Sequence, residues 1–243
     1  MGILYKKWQQ YSYVARKNQR RRFITVVVVL LSFFIFYLVL HSFVVFSVEV
    51  GSASMMPALE RGDRCLVLPI ALFPKEVDHS WFPIHRGDLV VLEKQWGTKE
   101  PSWFVKLYGD LVSFFTAQRI DPLASYRSRM IKRVIALPGD KIVMEDYLFK
   151  VQPAGKTYSL TEFELSQDSY TLTLPEKNPL WDRSLPYSGN MEELTVPAGT
   201  IFVASDDRSS IQDSRSWGTI PITAISGRLV FRYWPIARFG LLP

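Results

Sequence analysis

The segment Met130-Ile-Lys-Arg-Val-Ile-Ala-Leu-Pro-Gly-Asp140 carries the first indication of the fold class. It joins a run of β-branched and other apolar residues to the turn sequence Pro138-Gly139-Asp140, where Gly accepts positive φ and Asp bonds the local backbone. Short apolar runs bounded by such turns are typical of antiparallel strands. The pattern recurs at residues 64–69, 88–92, 133–136, 141–144, 200–204 and 228–233. The sequence therefore predicts a mainly β domain.

Two stretches interrupt this strand pattern and are expected to be insertions. Residues 97–127 carry apolar side chains at intervals of three and four, namely Trp103, Phe104, Leu107, Tyr108, Leu111, Phe114 and Phe115. That spacing predicts a helix, whose apolar face is expected to pack on the β core or, as the alternative, to lie on a membrane surface. Residues 150–197 are polar and rich in Ser, Thr and Pro, and we expect a hairpin or loop region there.

The N-terminus combines a basic tail with a long uncharged segment. The tail, residues 1–22, contains no acidic residue, and its cations are Lys6, Lys7, Arg16, Lys17, Arg20, Arg21 and Arg22. Residues 23–46 are uncharged and apolar, which suits a membrane-spanning helix of about 20 residues better than a cleaved signal with an apolar core of about 7 to 15. We expect an uncleaved transmembrane anchor, although a loose cleavage-site pattern ends at Ala53. The tail would then be cytoplasmic and residues 47–243 would lie outside.

The basic tail also accounts for the formal net charge of +6. Seven of the 29 Lys and Arg residues lie in it, which leaves 22 cations against 23 acids, a net charge of about −1, for the rest of the chain. A nucleic-acid partner is therefore not expected. Cys65 is the sole cysteine, so no intrachain disulfide can form. His41, His79 and His85 belong to no metal-binding motif, so no metal is expected.

The segment Val50-Gly-Ser-Ala-Ser-Met-Met-Pro-Ala-Leu59 supplies a candidate nucleophile, Ser54. Small residues before it let a peptide backbone approach closely. A chain extends by at most about 3.6 Å per residue, so Ser54 lies within roughly 30 Å of Phe46 at the end of the predicted span. A reactive serine here would work close to the membrane surface. Ser-rich turns are common, and by itself this segment is a weak signal.

Lys132 is the candidate base because it begins an apolar run that is expected to become a buried strand. Removal from water disfavours the ammonium form and can lower a lysine pKa by several units. A neutral Lys132 could take the proton from Ser54. The alternative is that Lys132 points into solvent.

A third segment, residues 204–218, concentrates acids and arginines after a predicted strand. Such a cluster is either a solvated loop or a scaffold of ion pairs around a site. Arg133, next to Lys132, is a natural partner for one of its carboxylates.

These three segments, with Arg86-Gly-Asp-Leu-Val-Val91, have the order and the local sequence found in the type I signal peptidases, which the chain resembles. The resemblance implies an all-β catalytic domain after a single anchor, with no cofactor or metal. It implies that Ser54 is the nucleophile and Lys132 the general base, with an oxyanion hole formed by the Ser54 amide and the Ser52 hydroxyl. The supporting residues that it implies, with Asp206 paired to Arg133, are Arg133, Asp206, Arg208, Ser210, Asp213 and Arg215.

One departure from the family pattern concerns the serine that usually orients the lysine. Counting back from Asp213-Ser-Arg215 places Ile211 at that position. Either Ser210, one residue away, substitutes through a local shift, or another group orients the lysine. The usual Gly-Asp-Asn-Arg-Asp-Asn wording also reads Ser-Asp-Asp-Arg-Ser-Ser at residues 205–210.

The resemblance implies an endopeptidase that cuts preproteins after a small-x-small sequence, and we expect it to be a monomer. It would be anchored in membrane lipid, in the bacterial inner (cytoplasmic) membrane with the catalytic domain on the periplasmic side. Two alternatives stay open: another kind of Ser/Lys protease, or a catalytically impaired homologue that only binds exported chains.

Overall fold

The computed structural model describes residues 18–36, 45–70, 84–93, 102–116, 129–176 and 188–242. The helices in these ranges are α1 (residues 18–36), α2 (Trp103–Phe115), α3 (Glu162–Leu165) and α4 (Ser214–Trp217). The strands are β1 (Phe46–Glu49), β2 (Arg64–Pro69), β3 (Leu89–Glu93), β4 (Arg129–Ala136), β5 (Lys141–Glu145), β6 (Leu148–Gln152), β7 (Leu160–Thr161), β8 (Met191–Thr195), β9 (Thr200–Ala204), β10 (Ile220–Pro221), β11 (Ile225–Trp234) and β12 (Gly240–Leu241). Two 3₁₀ turns lie at Ile222–Ala224 and Ile236–Arg238.

The strands form two sheets in which every pair of named strands is antiparallel. The larger sheet has the order β1-β2-β11-β3-β4-β9-β10, with β12 paired to β11, and the smaller has the order β7-β6-β5-β8. The prediction of a mainly β, antiparallel domain is confirmed. Strands 64–69 and 200–204 have the predicted bounds, whereas β11 starts three residues earlier than predicted, at Ile225.

The segment 130–140 connects the two sheets. It runs as β4 through the larger sheet, turns at Gly139 with φ +85°, and enters β5 of the smaller sheet. The buried Asp140 carboxylate fixes this turn by accepting hydrogen bonds from the amides of Leu137 (2.8 Å) and Ala154 (3.0 Å) and from Arg86 (2.8 Å). Such local bonding is the usual reason for Asp in a turn.

Strands β3 and β4 lie inside the larger sheet and are buried on both faces. Alternate residues of a strand point to opposite faces, and Leu89 and Val91 accordingly join one apolar cluster while Val90 and Leu92 join another. On β4, Ile131 and Val134 divide in the same way. A strand buried on both faces reads as a continuous apolar run, which explains the sequence pattern of this segment.

The region 150–197 contributes the outer strands of the smaller sheet. Lys150 and Val151 of β6 pair antiparallel with Thr161 and Leu160 of β7, so a hairpin lies inside this region, while β8 pairs with β5 at the other edge of the sheet. The loop expectation holds for residues 153–159 and 166–172. Residues 177–187 lie outside the described ranges.

The apolar N-terminal segment is described only in part. The helix α1 includes Arg20, Arg21 and Arg22 and continues to residue 36, and β1 begins at Phe46, the last residue of the predicted span. Within the residues that the structure describes, no helix is both long and apolar enough to cross a bilayer. Residues 1–17 of the basic tail and residues 37–44 of the predicted anchor lie outside the described ranges.

The predicted aromatic helix forms as α2, but five of the seven predicted apolar side chains are exposed and do not pack on the β core. Trp103 is 64% exposed and Tyr108 is 62% exposed, and Phe104, Leu107 and Leu111 are exposed as well. The expectation of core packing is thus wrong for these residues. Residues 97–101 and 117–127 of this insertion lie outside the described ranges.

Candidate active site

Ser54 lies in the loop that joins β1 to β2. The loop closes on itself, because the Val50 amide donates to Asp63 O (2.8 Å) and the Gly62 amide donates to Val50 O (2.9 Å). Met55 and Leu59 are buried in the apolar cluster beneath the loop. These contacts anchor the residues on both sides of Ser54 while its side chain stays half-exposed.

Lys132 extends from β4 toward this loop and is only 2% exposed. Its Nζ atom donates to Ser54 Oγ (3.2 Å) and to Ser205 Oγ (2.8 Å). The alternative of a solvent-exposed lysine is therefore wrong. Burial lowers the pKa of Lys132 from its ordinary value of 10.5 to about 8, with smaller opposing contributions from neighbouring carboxylates. The neutral form is thus accessible near physiological pH.

Ser52 lies on the other side of the candidate nucleophile. Its Oγ atom is 3.0 Å from Ser54 Oγ, and its side chain is exposed. Ser52, Ser54 and Lys132 line one cleft of about 300 Å³, together with the apolar residues Val48, Val50 and Ile131. The structure therefore brings the three predicted residues together in a concave site that opens to solvent.

Ser205 is a site residue that the sequence interpretation does not identify. It follows β9 directly, is fully buried, and its amide donates to Asp213 Oδ2 (2.9 Å). Its hydroxyl accepts the hydrogen bond from Lys132 for which the sequence suggests Ser210 as a candidate. Ser210 instead donates its amide to Asp207 O (3.0 Å) and accepts at its carbonyl from Arg215, while Ile211 is 45% exposed. The sequence sign of this role is that residue 205 is Ser where the family pattern has Gly.

Asp213 and Arg215 hold the loop after β9 in place. The Asp213 carboxylate accepts from Arg215 Nε (2.9 Å) and Nη2 (2.7 Å) as well as from the Ser205 amide. Burial opposes its ionisation most strongly, but the hydrogen bonds and charge of Arg215 together keep the pKa of the Asp213 carboxyl below its ordinary value. Arg215 also donates to Arg208 O (3.0 Å). Of the two alternatives for residues 204–218, the structure therefore shows the scaffold of ion pairs and not the solvated loop.

The predicted pair of Arg133 and Asp206 is present and fully buried. Arg133 Nε and Nη2 donate to the two Asp206 oxygens at 2.7 and 2.6 Å, and Nη1 donates to Gly87 O at 2.6 Å. Arg208 is also buried and pairs with Glu162 of α3, a partner that the sequence interpretation does not identify.

Metal-binding side chains are not grouped in the described ranges. No cluster of three or more His, Cys, Asp or Glu residues there could hold an ion. Cys65 is buried, and burial raises its pKa to about 12, so it is not a reactive thiolate. His85 lies beside Asp88, at 3.7 Å, and His41 and His79 lie outside the described ranges.

Comparison with known proteins gives independent evidence on the family to which the chain belongs. The family model for signal peptidase, peptidase S26, matches residues 21–234. A signal peptidase I from Bacillus caldolyticus is 30% identical over 205 residues, which cover 83% of this chain and 86% of that protein. A Synechocystis protein named "Probable signal peptidase I-1" is 29% identical over 206 residues, covering 84% and 79% of the two chains. A crystal structure of a signal peptidase I from Enterococcus faecalis, 20% identical, gives a TM-score of only 0.32 over 61% of this chain and 97% of that chain, too low to bear on the fold.

Proposed function

This chain belongs to the signal peptidase family of serine proteases, peptidase S26, and we propose that it removes signal peptides from exported preproteins with Ser54 as nucleophile and Lys132 as general base. The observation that carries the proposal is the buried Lys132 Nζ, 3.2 Å from Ser54 Oγ. A base must lie within hydrogen-bond reach of the proton that it removes, and its pKa should be near the working pH. The lowered pKa of Lys132, about 8, meets the second condition.

In the proposed reaction, neutral Lys132 takes the hydroxyl proton as Ser54 Oγ attacks the carbonyl carbon of the scissile peptide. The negative charge that develops on the carbonyl oxygen is stabilised by the Ser54 amide and the Ser52 hydroxyl, whose oxygen is 3.0 Å from Ser54 Oγ. Losing one such donor typically costs about 10² to 10³ in rate. The Lys132 ammonium then gives its proton to the leaving amine. Water next attacks the ester on Ser54, with Lys132 again as base, and releases the new carboxyl end.

The cleft supports a preference for small side chains before the cut. Its wall includes Gly51 and Ala53, and its volume is only about 300 Å³. The apolar residues Val48, Val50 and Ile131 line the same space. We therefore propose preproteins with a small-x-small sequence as substrates. We also propose that the enzyme is a monomer.

We also propose that residues 23–46 anchor the enzyme in membrane lipid. The support is their uncharged, apolar sequence after a basic tail, which favours a cytoplasmic N-terminus. The catalytic domain would then face the periplasmic side of a bacterial inner membrane, where exported preproteins arrive.

The two alternatives predict different assay results. A catalytically impaired homologue that only binds exported chains was suggested by the altered residues 205–211, but Ser205 supplies the hydroxyl beside Lys132 that Ile211 lacks. Another kind of Ser/Lys protease would cut a peptide bond without requiring a small-x-small site.

The test is cleavage of a preprotein with an Ala-x-Ala site by the full chain in detergent. We expect cleavage after the last Ala by the wild type, and none by Ser54→Ala or Lys132→Ala. The exposed residues Ser159 and Lys141 provide matched controls, because Ser159→Ala and Lys141→Ala make the same changes away from the cleft. An inactive wild type on several preproteins would favour the binding alternative. Cleavage that ignores replacement of both Ala residues by Leu would favour the other protease.

A further inference from the structure

A short segment of the inserted region, residues 170–173, lies against the loop that carries Ser205; we call it the brace. The Thr173 amide donates to Asp206 O (3.1 Å), and the Arg208 amide donates to Thr173 O (2.8 Å), which makes a parallel bridge. The Thr173 hydroxyl also donates to Met56 O (3.4 Å), in the Ser54 loop. The brace therefore contacts both loops that supply hydroxyls to Lys132.

Tyr170 fixes one end of the brace through Arg133. The Arg133 guanidinium lies over the Tyr170 ring at 3.9 Å, while its edges bond Asp206 and Gly87. An arginine is stabilised on an aromatic face, and more strongly when the pair is removed from water. The ring thus completes the environment of the cation that holds Asp206, the residue after Ser205.

Glu162 holds both Tyr170 of the brace and Arg208 of the loop after β9. Its carboxylate accepts from the Tyr170 hydroxyl (2.8 Å), from the Phe149 amide (3.1 Å) and from Arg208. Glu162 and Arg208 are 3% and 2% exposed. One buried carboxylate therefore ties the smaller sheet, through Phe149, to both the brace and the loop after β9.

We propose that Tyr170 and Glu162 are positioning residues for the Ser54/Lys132 dyad, which they serve by holding residues 205–208 so that the Ser205 hydroxyl stays on Lys132 Nζ. This inference rests on the proposed function and deepens it. It assigns the inserted region a part in catalysis, although neither residue contacts the cleft. The Asp207 amide, which donates to Ser54 O (3.1 Å), extends the same control to the nucleophile.

The charges around Lys132 determine how a loosened brace changes the pKa of this lysine. Asp206, Asp207 and Asp213 raise the lysine pKa, Arg215 lowers it, and burial lowers it most. A loosened 205–208 segment admits water to Lys132 and frees Asp206 from Arg133. Both changes favour the ammonium form, so the pKa of Lys132 rises and the rise of activity with pH moves to more alkaline values.

The experiment compares pH profiles of kcat/KM on the Ala-x-Ala preprotein for the full-length chain. For Tyr170→Leu we expect a loss of about tenfold at pH 7.5 that becomes smaller toward pH 10, because the midpoint of the profile moves to more alkaline values and one pKa unit changes the neutral fraction tenfold. Tyr170→Phe keeps the ring on Arg133 and should restore most of the activity. Glu162→Gln should shift the profile in the same direction as Tyr170→Leu. Tyr158→Leu, a change of the same kind at a side chain that is 53% exposed, should match the wild type.

A merely structural role gives a different result. It lowers the active fraction at every pH and leaves the midpoint of the profile unchanged, and that outcome, or unchanged activity in Tyr170→Leu and Glu162→Gln, overturns the positioning role. If Tyr170→Leu does not fold, Glu162→Gln decides by its own midpoint. Failure of the proposed function is distinguishable, because it appears as an inactive wild type or an active Ser54→Ala.

Discussion

Ser205 Oγ lies 2.8 Å from Lys132 Nζ, closer than Ser54 Oγ at 3.2 Å. The hydroxyl comes from the first residue after β9, and its backbone amide is held by the Asp213 carboxylate. Asp213 in turn is held by Arg215. The lysine is thus oriented by a serine whose own position is set by a buried ion pair. This arrangement explains how the chain keeps a complete dyad geometry with Ile at position 211.

The first prediction concerns this serine. Ser205→Ala removes a hydroxyl that accepts from Lys132, so the Nζ atom loses its closer partner and points less often at Ser54. As Lys132 takes the proton from Ser54 it becomes charged, and a hydrogen bond to a charged group contributes about 1.5 to 3 kcal/mol, so we expect kcat/KM to fall by about 10 to 100-fold. Ser210→Ala is the control, and it should retain activity within about threefold. Steady-state kinetics of both variants on one preprotein would contradict us if Ser210→Ala were the more impaired.

The second prediction concerns pH. In the proposed mechanism neutral Lys132 is the active base, so we expect activity to rise as pH increases through its pKa, about 8, and then to reach a plateau. Kinetics of the wild type between pH 6 and 10 should therefore give a midpoint of about 8 for kcat/KM. A profile that is flat between pH 6 and 9, with the protein folded throughout, would exclude a titrating lysine with this pKa. Circular dichroism at each pH checks the fold.

The strands that the sequence predicts well are those whose apolar runs end in strong turn residues. β2 and β9 have the predicted bounds, and β4 reads as a buried strand because both of its faces are covered. β7, β10 and β12 are two-residue strands whose pairing depends on distant neighbours, and no local pattern indicates them. The core packing expected of α2 fails because periodicity shows an apolar face but not what covers it.

The site is predictable where a family motif or a local rule applies. Ser54, Lys132 and the pair of Arg133 and Asp206 follow from the motifs in segments 50–59, 130–140 and 204–218. Glu162 could not be predicted, because a single acid in a polar stretch gives no sign that its carboxylate is buried against Arg208. That contact exists only after the inserted region folds back on the loop that follows β9.

The third prediction is that the dyad lysine costs stability. The pKa of Lys132 falls from 10.5 in an unfolded chain to about 8 in the fold, so the fold disfavours its charged form below pH 8 and this penalty disappears as pH rises from about 8 to 10.5. Each pKa unit corresponds to about 1.4 kcal/mol, and the lost hydrogen bonds to Ser54 and Ser205 offset part of it. We expect Lys132→Met to raise the free energy of unfolding by about 1 to 2 kcal/mol at pH 7.

The measurement is chemical denaturation of the two full-length proteins in the same detergent at pH 7 and pH 10. The gain from Lys132→Met should be smaller at pH 10, where the wild-type lysine is already neutral in the fold. Lys141→Met, at an exposed position, is the control and should change stability little at either pH. A Lys132→Met variant that is less stable than the wild type at pH 7 would show that burial does not penalise this lysine.

The last prediction concerns the buried pair of Arg133 and Asp206, whose side chains are 0% and 1% exposed. Asp206→Asn keeps the shape but leaves the guanidinium without its counter-charge in an interior with little water. Breaking a buried pair by removing one partner costs about 3 to 5 kcal/mol, and we expect a loss of that size in the free energy of unfolding. The exposed pair of Lys150 and Glu145 is the matched control, since Glu145→Gln should cost less than about 1 kcal/mol. Equal losses in the two variants, measured by denaturation under one condition, would mean that burial adds nothing to the pair, and the ion-pair scaffold behind the dyad would then lose its energetic basis.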